Sequence, residues 1–270
     1  MKDIFLVVLV VILIWTLWFF GGKPSPDGTK RLSFFGTDIS SPSIGATSSP
    51  SLFKDEVQVS NTQSARESDI NREHLGITAS YSNSGPVSLT GWKLKNKEGR
   101  MVQIGKAAKL PYSGRANTEE SFFLAPGETA VVATGRSPIG VSFKINSCSG
   151  YLGQFQVFTP PMPASCPSNI DDARASHRGL EEQCLAYIAG LPSCSIYTGA
   201  IPADLSSVCA NYIRDNINYN SCADLHRNDQ DFYKTEWRVF LRENTSLWNH
   251  AGAFIRLYDA SGNLVDSQSY

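Results

Sequence analysis

The side chains able to do chemistry in this chain are six cysteines, four histidines and a scatter of carboxylates, and their spacing decides which chemistry is open to them. His74, His177, His226 and His250 are dispersed along the sequence. No Gly-x-Ser-x-Gly elbow, phosphate-cradling glycine loop or His-Glu-x-x-His helix occurs, so no catalytic constellation is legible and the chain reads as a non-enzyme. Cys222-x-x-x-His226 with His177 and Cys184 has the donor types of a zinc site but lacks the paired Cys-x-x-Cys knuckles of structural zinc. Asp224, Asp229 and Asp231 around Asn228 lack the loop grammar of a calcium site. No metal or other cofactor is expected. Cys148, Cys166, Cys184, Cys194, Cys209 and Cys222 are even in number, and disulfides are the better use for them.

Their pairing depends on the elements that carry them. Leu180, Cys184 and Tyr187-Ile188 recur at helical spacing and predict one helix over 173–189, closed by Gly190 and Pro192. Leu205, Val208, Tyr212 and Ile213 predict a second over 204–217. In an antiparallel hairpin the end of the first helix meets the start of the second. That geometry predicts Cys194–Cys209 and Cys184–Cys222, and leaves Cys148–Cys166 to clamp the loop where this segment departs. Purely local pairing, Cys184 with Cys194 and Cys209 with Cys222, is the rival.

Charge is the second source of chemistry. The net formal charge of -1 argues against a nucleic-acid protein as a whole, because phosphate binding needs a basic surface. The charge is uneven, however. Residues 92–115 hold seven basic side chains, Lys93, Lys95, Lys97, Arg100, Lys106, Lys109 and Arg115, against Glu98 alone, whereas 165–236 hold ten acids against five bases. Both are expected to be solvated faces unless the acidic segment covers the basic one or the basic one meets an anionic polymer. Lys93, Lys95, Lys97 and Arg100 are the candidate polyanion contacts.

The surrounding elements read as strands. Residues 74–81 alternate, with Leu75, Ile77, Ala79 and Tyr81 on one face, and Asn83-Ser84-Gly85-Pro86 supplies a turn. Trp92 and Leu94 return to one face, Lys93 and Lys95 take the other, and Gly91 stands where a bulge or close approach is expected. Residues 101–104 and 130–133 read as further strands, the second entered through the Ala125-Pro126-Gly127 turn. Trp237, Val239 and Leu241 resume the sheet, and 255–270 form a terminal hairpin around Asp259 to Asn263. Trp92 and Trp237 are expected in the core.

Three stretches taken together resemble the lamin-tail domain. They are Pro86-Val87-x-Leu89-x-Gly91-Trp92-x-Leu94, then Leu124-Ala125-Pro126-Gly127-Glu128 before a valine strand, then Leu257-Tyr258-Asp259-x-x-Gly262-Asn263-x-Val265-Asp266-Ser267-x-x-Tyr270. The resemblance covers 54–147 and 237–270 and implies a mainly β fold, an immunoglobulin-like β-sandwich that hosts many unrelated binding roles. Residues 148–236, a disulfide-stapled helical insertion, depart from a minimal domain of that family. The whole arrangement is similar to membrane-anchored bacterial lamin-tail proteins. It marks Gly91, Trp92, Leu94, Pro126, Gly127, Trp237, Asp259, Gly262, Asp266 and Tyr270 as the structural positions.

Residues 4–20 form an apolar run with Trp15 and Trp18 near one end. At the helical rise they reach roughly 25 Å, enough to cross a bilayer. No small-x-small cleavage site follows, so a transmembrane signal anchor is expected after a cytoplasmic segment of residues 1–3. Residues 21–53, rich in Ser, Pro, Gly and Thr, read as a flexible linker. Lys23, Lys30 and Arg31 favour a cytoplasmic C-terminal side, but six cysteines favour the outside, and they outweigh a modest charge bias. The expected function is an externally displayed, non-catalytic binding or structural module that contacts protein or cell-envelope polymer. A DNA- or polyanion-contacting accessory role is the alternative, with nucleic acid not favoured.

Overall fold

The computed structural model describes residues 51–177, 179–248 and 254–270. The expected anchor over 4–20 and most of the linker over 21–53 lie outside them. The linker's last three residues belong instead to the folded domain: Ser51 donates its hydroxyl to Asp259 at 2.7 Å, and Phe53 packs its ring 5.3 Å from that of Trp92.

The described residues are mainly sheet. A five-stranded sheet runs in the order β1 (Val57–Ser60), β2 (His74–Ala79), β7 (Thr129–Ala133), β9 (Tyr233–Phe240), β8 (Phe143–Asn146). A four-stranded sheet runs β11 (Leu264–Ser269), β10 (Phe254–Tyr258), β4 (Lys93–Lys95), β5 (Met101–Gln103), and a small third sheet pairs β3 (Val87–Ser88) with β6 (Phe123–Leu124). All ladders are antiparallel except β7 with β9, where Val132 stands opposite Val239. Alternation dictates the core. Val57, Leu75, Ile77, Val132, Trp237 and Val239 from the first sheet meet Leu94, Val102, Ile255, Leu257 and Val265 from the second in one apolar cluster.

Of the ten marked positions, Trp92, Leu94 and Trp237 lie in that cluster and Tyr270 packs against it, while Pro126 and Gly262 are exposed in turns. Trp92 is 2% exposed and Leu94 and Trp237 are also buried. The Trp237 indole donates to Glu128 at 3.2 Å, and Glu128 also pairs with Lys144. Gly91 has φ +89°, so its role is the left-handed turn conformation rather than close packing. Gly127, after Pro126, has φ +81°, and a Cβ there would meet the Tyr81 ring. Tyr81 itself is exposed, because β2 ends at Ala79 and the chain turns at Ser80, so the expected face stops one position short. Asp259, in the turn with Gly262, accepts from Ser51 and from the backbone and side chain of Asn263. Burial pushes its carboxyl up, but these hydrogen bonds together hold it below the usual aspartate range. Asp266 accepts from the Val59 N–H at 2.7 Å and ties the two sheets at their β1 and β11 edges. Tyr270 donates to the Trp248 carbonyl.

Among the described residues the insertion holds four α-helices, α1 (Asn169–Ser176), α2 (Glu182–Ala189), α3 (Ser207–Asn216) and α4 (Tyr219–His226). The single helix expected over 173–189 is two: α1 ends with His177 in extended conformation, and Gly179 precedes the restart at Glu182. Asn218 caps α4 by accepting from the Ser221 N–H, an element the periodicity missed. The extra turns change the disulfides. The bridges are Cys148–Cys222, Cys166–Cys194 and Cys184–Cys209, so Cys148–Cys166, Cys184–Cys222 and Cys194–Cys209 are corrected, and the local rival fails too. With four helices, Cys184 on α2 faces Cys209 on α3. Cys222 on α4 returns to Cys148 at the root of the insertion, and Cys194, past α2, meets Cys166.

A second apolar cluster joins these helices to Phe143 and Ile145 of β8 and Phe232 before β9. Arg238, on the outer side of β9, donates to the carbonyls of Pro160 and Pro161 and to Glu236, fastening the 158–163 loop over the sheet.

Candidate functional site

The outer face of the four-stranded sheet carries the charge pattern of interest. Because Leu94 faces the core, Lys93 and Lys95 on β4 point outward, as do Phe254, Arg256 and Tyr258 on β10, whose alternate residues Ile255 and Leu257 are buried. The register places Lys95 between Arg256 and Met101, and Lys93 between Tyr258 and Gln103. Directly opposed residues of an antiparallel pair sit about 5 Å apart at Cα, and Lys93 lies about 7 Å along the strand from Lys95. Three cations therefore crowd one small patch. The Arg256 guanidinium lies 4.3 Å from the centroid of the Phe254 ring, which holds it against the face. Among the described residues no carboxylate pairs with Lys93, Lys95 or Arg256.

The other basic residues are dispersed. Lys97 is exposed in the turn that follows β4, beside Glu98. Arg100 is withdrawn into an ion pair with Glu243 and a hydrogen bond to Thr245, so it is not a free contact. Lys109 and Arg115 lie on the insertion side, over the rings of Tyr233 and Tyr112. The acidic insertion makes no ion pair, among the described residues, with Lys93, Lys95, Lys97 or Arg100. It docks elsewhere, through Tyr112 to Asp224 and through Asn220, which bonds both the N–H and the carbonyl of Ser113.

Sequence reading brought Lys93 and Lys95 to one face but missed Arg256. The alternation of Ile255 and Leu257 marks Arg256 as outward. Only the pairing of β10 with β4 brings it beside Lys95.

The donor sets weighed for metals are committed otherwise. Cys184 and Cys222 are in disulfides, and His226 bridges Asp172 and Asp229 at 3.0 and 2.7 Å. Two cavities of about 460 and 410 Å³ open on the insertion, the first bordered by Phe158, Met162 and Cys194, the second by Asp172, Tyr212 and Cys222. No protein-family model matches the chain, and no curated protein matches it.

Proposed function

We propose that the chain is a membrane-anchored, externally displayed and non-catalytic binding module that holds an anionic cell-envelope polymer against the outer face of its four-stranded sheet. The observation that carries the reading is the direct opposition of Lys95 and Arg256, with Lys93 beside them and no carboxylate partner. Like charges placed opposite each other on a sheet cost stability, and an anionic ligand would relieve that cost. A flat, sequence-tolerant face with Tyr258 and Phe254 beside the cations suits a repetitive polymer better than a small molecule in a cleft. Three disulfides support an oxidising compartment, and the apolar run over 4–20 supports the anchor. The lamin-tail resemblance and the two facing sheets support an immunoglobulin-like sandwich as the scaffold.

The test is binding of the full-length protein, in detergent, to soluble poly(glycerol phosphate) across a salt series. Three neutralised charges predict a log–log slope of about -2. Lys93→Ala/Lys95→Ala/Arg256→Ala, changed only on the outer face, should abolish binding and leave the fold intact. Salt-independent binding, or binding retained by the triple variant, would overturn the reading in favour of a protein interface.

A further inference from the structure

The disulfide Cys166–Cys194 differs from the other two in its surroundings. Cys148, Cys184 and Cys209 are completely buried in the apolar cluster of the insertion. Cys194, 8% exposed, lines the cavity of about 460 Å³ that Phe158, Met162, Ser193 and Ser195 also border, and Cys166 is half-buried at the surface. Cys194 also has φ +57°, the left-handed region that a non-glycine residue enters only when its surroundings force it. Gly150, which borders the same cavity, abuts both sulfurs, and a Cβ there would stand 2.3 Å from Cys194 Sγ and 2.9 Å from Cys166 Sγ, so only a glycine leaves the bridge this room.

We propose that Cys166–Cys194 is a thiol-exchange site, at which a small thiol entering this cavity attacks Cys194 Sγ. Displacement at a disulfide sulfur runs in line with the bond that breaks, so the attacked sulfur must face open space away from its partner. Cys194 lines the cavity and Cys166 does not. The incoming thiolate forms a new S–S bond to Cys194, and the electron pair of the old bond leaves on Cys166. The Cys166 thiolate then takes up the proton that the incoming thiol released. One disulfide replaces another, and no outside oxidant or reductant is needed.

The leaving group decides against attack at Cys222. Cys222 borders the cavity of about 410 Å³, but attack there would expel Cys148 as a thiolate into a fully buried apolar site. Burial raises a thiol's pKa and makes it a poor leaving group, whereas Cys166 reaches solvent. The cavity wall offers Gln154, Gln156, Ser193 and Ser195 but no charged side chain, so it suits a low-molecular-weight thiol with hydrogen-bonding groups. Cys148–Cys222 and Cys184–Cys209 keep the helices fastened while the exchange proceeds.

The test treats full-length protein with reduced glutathione under native conditions, quenches with iodoacetamide and maps the peptides. Glutathione on Cys194, carbamidomethyl on Cys166 and two intact bridges elsewhere are expected, with this bridge reacting at least about tenfold faster than the others. Glutathione on Cys166 or Cys222, opening of all three bridges together, or no adduct would overturn the proposal. Ser195→Phe, which narrows the cavity beside Cys194, should slow adduct formation about tenfold at an unchanged melting temperature. A polymer-linked thiol on the wild-type protein reads the same constriction without any variant, and equal rates for both thiols would overturn the cavity route.

Discussion

Glu73 shows how much this fold asks of single side chains. It has no exposed surface, and among the described residues no cation pairs with it. Its charge is held by hydrogen-bond donors alone, the N–H groups of Leu247 and Trp248 and the Ser246 hydroxyl at 2.6 Å. That arrangement pins the 246–248 segment, whose Leu247 and Trp248 fill the space between the sheets. Asn96 adds a bond to the Leu247 carbonyl at 3.0 Å, and Tyr270 one to the Trp248 carbonyl. Burial pushes the Tyr270 hydroxyl up to about 12, with the Glu73 charge adding to the shift, so the tyrosine stays a donor at any ordinary pH. Glu73→Gln keeps the shape but turns an N–H₂ toward backbone N–H donors, leaving buried groups unsatisfied. The variant should lose about 2 to 3 kcal/mol in chemical denaturation. An unchanged midpoint and slope would show that the segment is held by packing alone.

At the scale of elements, the same logic of shared donors and acceptors joins helix to helix. His226, at the end of α4, faces Asp229 with Nδ1 and Asp172 with Nε2 and as an imidazolium donates to both carboxylates, the second of which lies on α1. Burial lowers its pKa, but the hydrogen bond to Asp229 and the charge and hydrogen bond of Asp172 outweigh it, so the net shift is upward from 6.5. At Asp172 the balance is reversed: burial raises the carboxyl and outweighs His226. The histidine shift is the one that sets a pH dependence near neutrality. A folded-state pKa above the unfolded value gives stability fully present below about 6.5 and lost as pH rises through the folded value. The melting temperature of the helical signal should therefore fall as pH rises above about 6.5, and His226→Gln should flatten that fall. A wild-type profile flat above about pH 6.5 would show that the imidazolium's bonds to the two carboxylates add no net stability to the joint of α1 and α4. Local patterns reveal such elements unequally. The alternation around Trp92 and Leu94 fixes which way Lys93 and Lys95 point, because a period of two is a local property. The partner of Lys95 is not local. Arg256 reaches it only through the register of strands far apart in sequence, and no spacing rule carries that information.

The whole molecule shares this division between local and long-range information. The terminal hairpin, the turn at Gly127 and the burial of Trp92 and Trp237 were legible, since each follows from residue type and near neighbours, whereas Gly91, read as a bulge or close approach, serves a left-handed turn. The disulfides were not, because their pairing depends on how many times the insertion reverses. Gly179 and the Asn218 cap each add a reversal that the apolar periodicity does not register. The result, among the described residues, is two cores. The cluster between the sheets contains no cysteine, whereas the cluster of the insertion contains Cys148, Cys184, Cys209 and Cys222 among short helices of eight to ten residues. Helices of that length are marginal alone, so cross-links carry much of the second core. Cys184–Cys209 closes a separation of 25 residues, and its removal should cost about 2 to 4 kcal/mol. β8 is the element on which the two cores disagree: it pairs with β9 through the first sheet, yet Phe143 and Ile145 pack with the insertion. Cys184→Ala/Cys209→Ala should therefore lower hydrogen-exchange protection in 169–226 and in β8 together, while β2, β7 and β10 keep theirs. Equal loss across both clusters would mean that the insertion and the sheets unfold as one unit, with the docking contacts of Arg238, Asn220 and Tyr112 strong enough to couple them.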